Sequence, residues 1–134
     1  MNSTDPLSDM LTQIRNALPA KKQEVVLPYS NLKFNLAKLL EKKGWLSSAE
    51  AVEDPASKFK ALKLRLKYDE QGQSVISGVK RVSKPGQRIY AKVTKIPRGN
   101  LGMGATIVST SKGLMTASEA TKARLGGEVI CQIW

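Results

Sequence analysis

The sequence predicts an α+β fold in two small domains. Residues 1–72 read as an N-terminal helix-strand-helix-strand-strand unit, and residues 73–134 as a C-terminal, mostly antiparallel β unit with one short helix. Three observations carry this. Two segments of the first half repeat apolar residues at helical spacing, each followed by strand-like segments. The second half breaks into short apolar runs separated by glycine, proline and serine. The acidic residues nearly stop at the Asp69-Glu70-Gln71-Gly72 turn.

Residues 5–18 read as the first helix. Asp5 can cap it, Pro6 suits the first helical position, where no amide donor is needed, and Leu7, Met10, Leu11, Ile14 and Leu18 share a face. Asn16 and Pro19 mark its end, and Lys21 and Lys22 fall in the connection. Glu24 to Pro28 reads as a short strand. Ser30 or Asn31 can cap a second helix running to Lys43, with Leu32, Leu36, Leu39 and Leu40 as its buried stripe. Gly44 is placed to close that helix, and Lys42 and Lys43 suit the negative end of its dipole. Trp45 begins a strand region ending near Asp54-Pro55. Residues 59–68 form the clearest strand, Leu62, Leu64, Leu66 and Tyr68 alternating with Lys63, Arg65 and Lys67.

In the second half, Val75 to Val82 and Arg88 to Val93 read as strands joined by Lys84-Pro85-Gly86-Gln87, where proline and glycine suit a type II turn. Ile96 to Gly104 is a loop with glycines at 99, 102 and 104. Thr106 to Ser109 reads as a buried strand, followed by a Ser109-Thr110-Ser111-Lys112-Gly113 turn. Thr116-Ala117-Ser118-Glu119 fits a capping box, predicting a short helix to about Arg124 that Gly126-Gly127 ends. Glu128 to Trp134 closes the chain as a strand.

The charge points to a class of partner. Lys and Arg number 22 against 11 Asp and Glu, a net +11. Residues 1–72 hold 12 basic and 9 acidic side chains; residues 73–134 hold 10 basic and 2 acidic. The second half therefore carries +8 in 62 residues, and its natural partner is a polyanion. Histidine is absent, which removes the commonest general base and metal ligand. The single cysteine, Cys131, can form neither an internal disulfide nor a cysteine metal cluster, so no metal or cofactor is expected. There is no apolar run of about 20 residues and no signal-peptide pattern, so a cytoplasmic setting without a membrane partner is expected.

Three segments could carry chemistry. Ser109, Thr110 and Ser111 pack three hydroxyls into a turn; each can donate to and accept from a phosphate, a ribose hydroxyl or a base edge. Lys112 adds a charge and Gly113 a permissive backbone. An ordinary solvated hairpin explains the same residues. A Ser-Lys nucleophile pair is an enzymatic alternative, but its framing motif is missing. The second segment sets Lys80, Arg81, Lys84 and Arg88 around one tight turn, with Tyr90 able to stack on a base or ribose. A solvated charged hairpin is the plain alternative. The third is Gly126-Gly127-Glu128. Glu128 can pair with a nearby Lys or Arg, position a cation, or accept from a base amino group. Most of the seven aromatic residues fall at core-facing positions, and no basic-aromatic signature of a stacking sheet is present. Recognition of a folded RNA through phosphates, 2′-hydroxyls and groove shape fits better than single-strand stacking or a DNA-reading helix. A general nucleic-acid packaging protein is the remaining alternative of the binding class.

The ordered set of motifs resembles the bacterial small-ribosomal-subunit protein eight family, essentially end to end. Asp5-Pro6, Asp9-Met10-Leu11-Thr12 and Ile14-Arg15-Asn16 resemble its opening helix, and Ser30 with Leu32-Lys33 the start of its second. Arg81-Val82-Ser83-Lys84-Pro85-Gly86 with Arg88-Ile89-Tyr90 resembles its central hairpin. Ser109-Thr110-Ser111-Lys112-Gly113-Leu114-Met115-Thr116 is similar to its most specific motif, and Gly126-Gly127-Glu128 with Cys131 to its close. The resemblance implies a non-catalytic structural protein of the 30S subunit. It would bind the central domain of 16S ribosomal RNA directly and help assemble the platform. Contacts would centre on Ser109, Thr110, Ser111, Lys112 and Gly113, with Tyr90, Arg88 and Glu128 nearby and Lys84 in the adjoining hairpin. Arg15, Ser30 and Lys33 would make a second contact. Implied partners are the neighbouring small-subunit proteins five and twelve and, for some members, the protein's own mRNA; the free protein would be a monomer. A plastid as well as a bacterial source fits the resemblance. Ala117-Ser118 and Thr121 depart from the charged residues usual in the family, while Lys122 and Arg124 keep charge there.

Overall fold

The computed structural model describes residues 5–53, 56, 59–96 and 104–134. The chain forms two compact units, Pro6–Ile76 and Ser77–Trp134, the latter including Asp5. The Asp69–Gly72 turn belongs to the first. Asp69 N donates to Gln73 O (2.7 Å) and Val75 N to Lys67 O (3.1 Å), folding the chain back on its own strand.

The N-terminal unit has the element order α1 (Pro6–Ala17), β1 (Glu24–Pro28), α2 (Asn31–Lys42), β2 (Leu46–Glu53) and β3 (Lys60–Leu66). Its antiparallel sheet has the order β1-β3-β2. Period-two patterning sends Val25 and Leu27 of β1 and Leu62, Leu64 and Leu66 of β3 into the core. Leu7, Met10, Leu11 and Ile14 of α1 are buried in the same unit. The α1 stripe ends on Ala17 rather than Leu18, which is half-buried because the helix stops before it. In α2 the buried stripe is Lys33, Leu36, Ala37 and Leu40, at i, i+3, i+4 and i+7, with Leu39 beside it. Leu32 does not join it and is 47% exposed. The aliphatic stem of Lys33 fills the place expected for it. Gly44 follows the helix with φ 85°, a left-handed conformation that glycine adopts without penalty.

The C-terminal unit comprises β4 (Val79–Arg81), β5 (Tyr90–Ala91), a 3₁₀ turn (Val93–Lys95), β6 (Ala105–Thr110), β7 (Gly113–Thr116), α3 (Ala117–Ala123) and β8 (Gly127–Ile133). The sheet order is β4-β8-β6-β7, and β5 also pairs with β8. Ile107, Val108, Val129, Ile130, Cys131 and Ile133 build its core. A register shift between Ile107 and Val108, which pair with Cys131 and Val129, leaves Ile130 as an extra residue on β8.

Several expectations are corrected here. The strand expected over 75–82 shrinks to Val79–Arg81: Val75 bonds back to Lys67, whereas Ser77 and Gly78 both donate to Trp134 O. The strand expected over 88–93 is only Tyr90–Ala91, because its partner β8 begins opposite Ala91 at Gly127. The Lys84–Gln87 turn closes with mutual backbone bonds of 2.9 and 3.0 Å. Gly86 is not among the glycines of positive φ, however, so the turn is not type II. Arg124, in the left-handed region at φ 57°, ends α3, which frees Gly126 and Gly127 for another role. Strand β7 has no sequence signature, since Leu114-Met115 is too short an apolar run to mark a strand. The aromatic residues are not core: none is buried, Phe59 is 79% exposed and Tyr90 71% exposed. The expected loop over 96–104 and the Asp54-Pro55 strand end lie largely outside the described residues.

Candidate nucleic-acid interface

Strands β6 and β7 are joined by Ser111 and Lys112 alone, with Thr110 paired to Gly113. The Thr110 hydroxyl builds this turn. It accepts from Lys112 N at 3.1 Å and donates to Gly113 O at 2.9 Å. Gly113 takes φ 106°, and open space surrounds its Cα, so backbone conformation is what demands glycine there. Of the three hydroxyls, Thr110 is spent on the fold, Ser111 stands exposed at the tip with Lys112, and Ser109 is half-buried within β6.

Ser109 lies in a cross-strand row. It pairs with Leu114 on β7 and with Glu128 on β8, and Glu128 pairs in turn with Tyr90 on β5. The sheet thus sets Tyr90, Glu128 and Ser109 side by side across three strands, next to the Ser111-Lys112 tip. Two glycines make the close approach possible. A Cβ on Gly127 would collide with the Ser109 carbonyl, and one on Gly126 with the Ala91 carbonyl.

Glu128 is the electrostatic centre of this row. Its carboxylate accepts from the Ser83 hydroxyl in a short hydrogen bond and from Arg88 Nη1 at 2.9 Å. Burial alone would raise its pKa. The hydrogen bonds from Ser83 and Arg88, with the charges of Arg88 and Arg81, outweigh burial and hold the carboxyl below its ordinary range. Ser83 is fully buried, and its oxygen accepts from Ile89 N at 3.2 Å, fixing the start of the segment that presents Tyr90. Sequence reasoning missed Ser83 as a site residue. The one available signal was its place immediately before the Lys84-Pro85-Gly86 turn. Arg81 serves the fold, donating to Ile130 O at 2.8 Å and pairing with Asp5 at 3.2 Å. Lys84, Arg88 and Tyr90 remain exposed. In α3, Thr116 and Glu119 form the expected capping box. The departing residue Thr121 turns its hydroxyl back onto Ala117 O at 2.8 Å.

The other predicted residues belong to the N-terminal unit. Ser30 caps α2, its hydroxyl accepting from Lys33 N at 3.2 Å. Lys33 is buried, and burial lowers its pKa, partly offset by the charge of Asp9. Arg15 is exposed in the last turn of α1. Among the described residues no three His, Cys, Asp or Glu side chains gather to hold a metal, and no helix is long and apolar enough to cross a membrane.

The row of hydroxyls, carboxylate and exposed ring, rimmed by Lys and Arg, can bond a polyanion's phosphates and its sugar or base edges together. The family model for ribosomal protein S8 matches residues 5–134. The chain belongs to the ribosomal protein S8 family. It is 51% identical over the full length of both chains to the small ribosomal subunit protein uS8 of Thermoanaerobacter sp. (strain X514). It is likewise 48% identical to that of Geobacter sulfurreducens and 44% to that of Clostridioides difficile, again over the whole of each chain. Both units, with the Ser109–Gly113 hairpin and the closing β8, therefore fall within the matched length.

Proposed function

We propose that this chain is a structural constituent of the small ribosomal subunit, acting in the ribosome without catalysis. It binds the central domain of 16S ribosomal RNA directly and helps organise the platform. Its RNA-reading surface is the C-terminal one. The observation that carries the reading is the row Tyr90–Glu128–Ser109 beside the exposed Ser111-Lys112 tip, set in a half-chain with a charge of +8. Ser109 and Ser111 offer hydroxyls to 2′-hydroxyls and base edges, Tyr90 an exposed ring, and Lys84, Arg88 and Lys112 phosphate contacts. Glu128 holds Arg88 and Ser83 in place. Arg15 and the Ser30–Lys33 cap make a second contact from the N-terminal unit. Proteins five and twelve of the small subunit are its protein neighbours.

The test is to follow the protein in a cell lysate through a sucrose gradient, and to add the purified protein to isolated 16S RNA and map protection along the strand. Co-sedimentation with small subunits and protection confined to one central-domain helix support the reading. Protection scattered along the RNA would favour a general packaging protein instead.

A further inference from the structure

The N-terminal unit contains a cleft of about 350 Å³ lined by Lys21, Gln23, Ser47, Arg65, Leu66 and Tyr68, with Gly72 at its edge. That lies at the small end of the ~300–1,000 Å³ range of ligand clefts. None of these residues belongs to the surface proposed above, so the inference goes beyond that reading.

The cleft is built, not incidental. Lys21, in the α1–β1 connection, has φ 56°, a left-handed conformation that non-glycine residues seldom adopt. Its Nζ donates to Gly72 O at 2.5 Å, 51 residues away, and lies 5.9 Å from the centre of the Tyr68 ring. The Tyr68 hydroxyl donates to Lys22 O at 2.5 Å. These contacts tie the first connection of the unit to the turn after β3 and hold the strained residue in place. Such strain, where the surroundings maintain it, clusters at ligand sites.

The lining chemistry selects the ligand. It includes two cations and no carboxylate. Arg65 is held only loosely, its contact to Glu24 being 3.9 Å, while Lys63 holds the same carboxylate oxygen at 3.3 Å. Neither the Arg65 guanidinium nor the Gln23 amide group makes a hydrogen bond among the described residues. A guanidinium with free donors in one cleft with an ammonium suits a phosphate, and the tyrosine ring that lines the same cleft suits a sugar or base. We propose that this cleft binds one nucleotide unit, its phosphate on Arg65 and Lys21 and its sugar or base against Tyr68.

The experiment titrates the full-length, ¹⁵N-labelled chain with a uridine hexanucleotide, with 5′-UMP and with inorganic phosphate, and follows the amides of Gln23, Ser47 and Tyr68. Ser109 and Glu128 report the C-terminal surface in the same spectra. Saturable shifts at the three cleft amides are expected with a uridine ligand. Lys21→Gly and Arg65→Gln should each weaken them about tenfold, as for a lost hydrogen bond to a charged group, and leave the Ser109 and Glu128 responses unchanged. Lys21→Gly suits the left-handed backbone, so it removes the cation and its bond to Gly72 without straining the connection. Tighter binding of the hexanucleotide than of UMP assigns the site to an RNA strand, and equal binding assigns it to the free nucleotide. The proposal is overturned if no uridine ligand shifts the cleft amides, if both folded variants bind as the wild type does, or if inorganic phosphate binds as well as UMP.

Discussion

Glu128 is one of two acids among the last 62 residues, and it faces the partners that such a basic half provides. Its carboxylate gathers Ser83 and Arg88, so removing its charge loosens both. The sign of the pH effect follows from the depressed pKa. The stabilisation is fully present above the unfolded value of about 4.3 and is lost as pH falls through the folded value. Glu128→Gln should flatten the loss of stability that the wild type shows below about pH 4, measured as the denaturation midpoint against pH. A midpoint-pH curve identical to that of the wild type would remove Glu128 from the account. Ser111, at the β6–β7 tip, and Lys84, in the turn before β5, play separate parts. Ser111→Ala should weaken binding to the specific RNA by about 1 kcal/mol or more, with an unchanged salt slope. Lys84→Ala should instead lower the salt slope by about one counterion and affect all RNAs alike. Cys131 provides a check on the core. Burial pushes its thiol up to about 12, against the smaller opposing effect of Arg81. It should therefore resist alkylation at pH 8 in the folded protein and react promptly in denaturant.

At the scale of elements, β8 organises the site, because β4, β5 and β6 all pair with it. Gly127 lets β8 lie against Ser109. Gly127→Ala should cost about 1–3 kcal/mol, as for overpacking in a tight site, and should weaken RNA binding by displacing Ser109. A variant with wild-type stability would show that the strands separate at no cost. The elements differ in how plainly the residues announced them. Strands β1 and β3 and both long helices were legible because one face of each is buried, which imposes period two or period 3.6 on their residues. The capping box of α3 was legible because it is a local exchange of hydrogen bonds. Strands β4 and β5 were overextended, since their limits depend on where β8 begins and on the bonds to Trp134, neither of which is local. Leu32 misled for a related reason: a lysine stem can fill an apolar stripe, and composition does not show it. In the site, the Ser109–Gly113 turn and Glu128 were legible as residue types. Their juxtaposition with Tyr90 was implied only by the family resemblance and has its physical basis in strand pairing, while the role of Ser83 comes from its burial.

At the scale of the whole molecule, charge and specificity separate. The +8 of residues 73–134 raises affinity for any polyanion and makes it fall with salt. Discrimination requires groups that a scrambled RNA cannot satisfy, and the proposal assigns that part to the Tyr90–Glu128–Ser109 row with its hairpin. The central claim is thus a ratio of affinities. The most direct measurement is the Kd of the intact protein for the proposed 16S central-domain helix and for a scrambled RNA of equal length, at two salt concentrations. The account predicts much tighter binding to the helix, with the preference persisting at the higher salt while both affinities fall. Equal affinity for the two RNAs would contradict it.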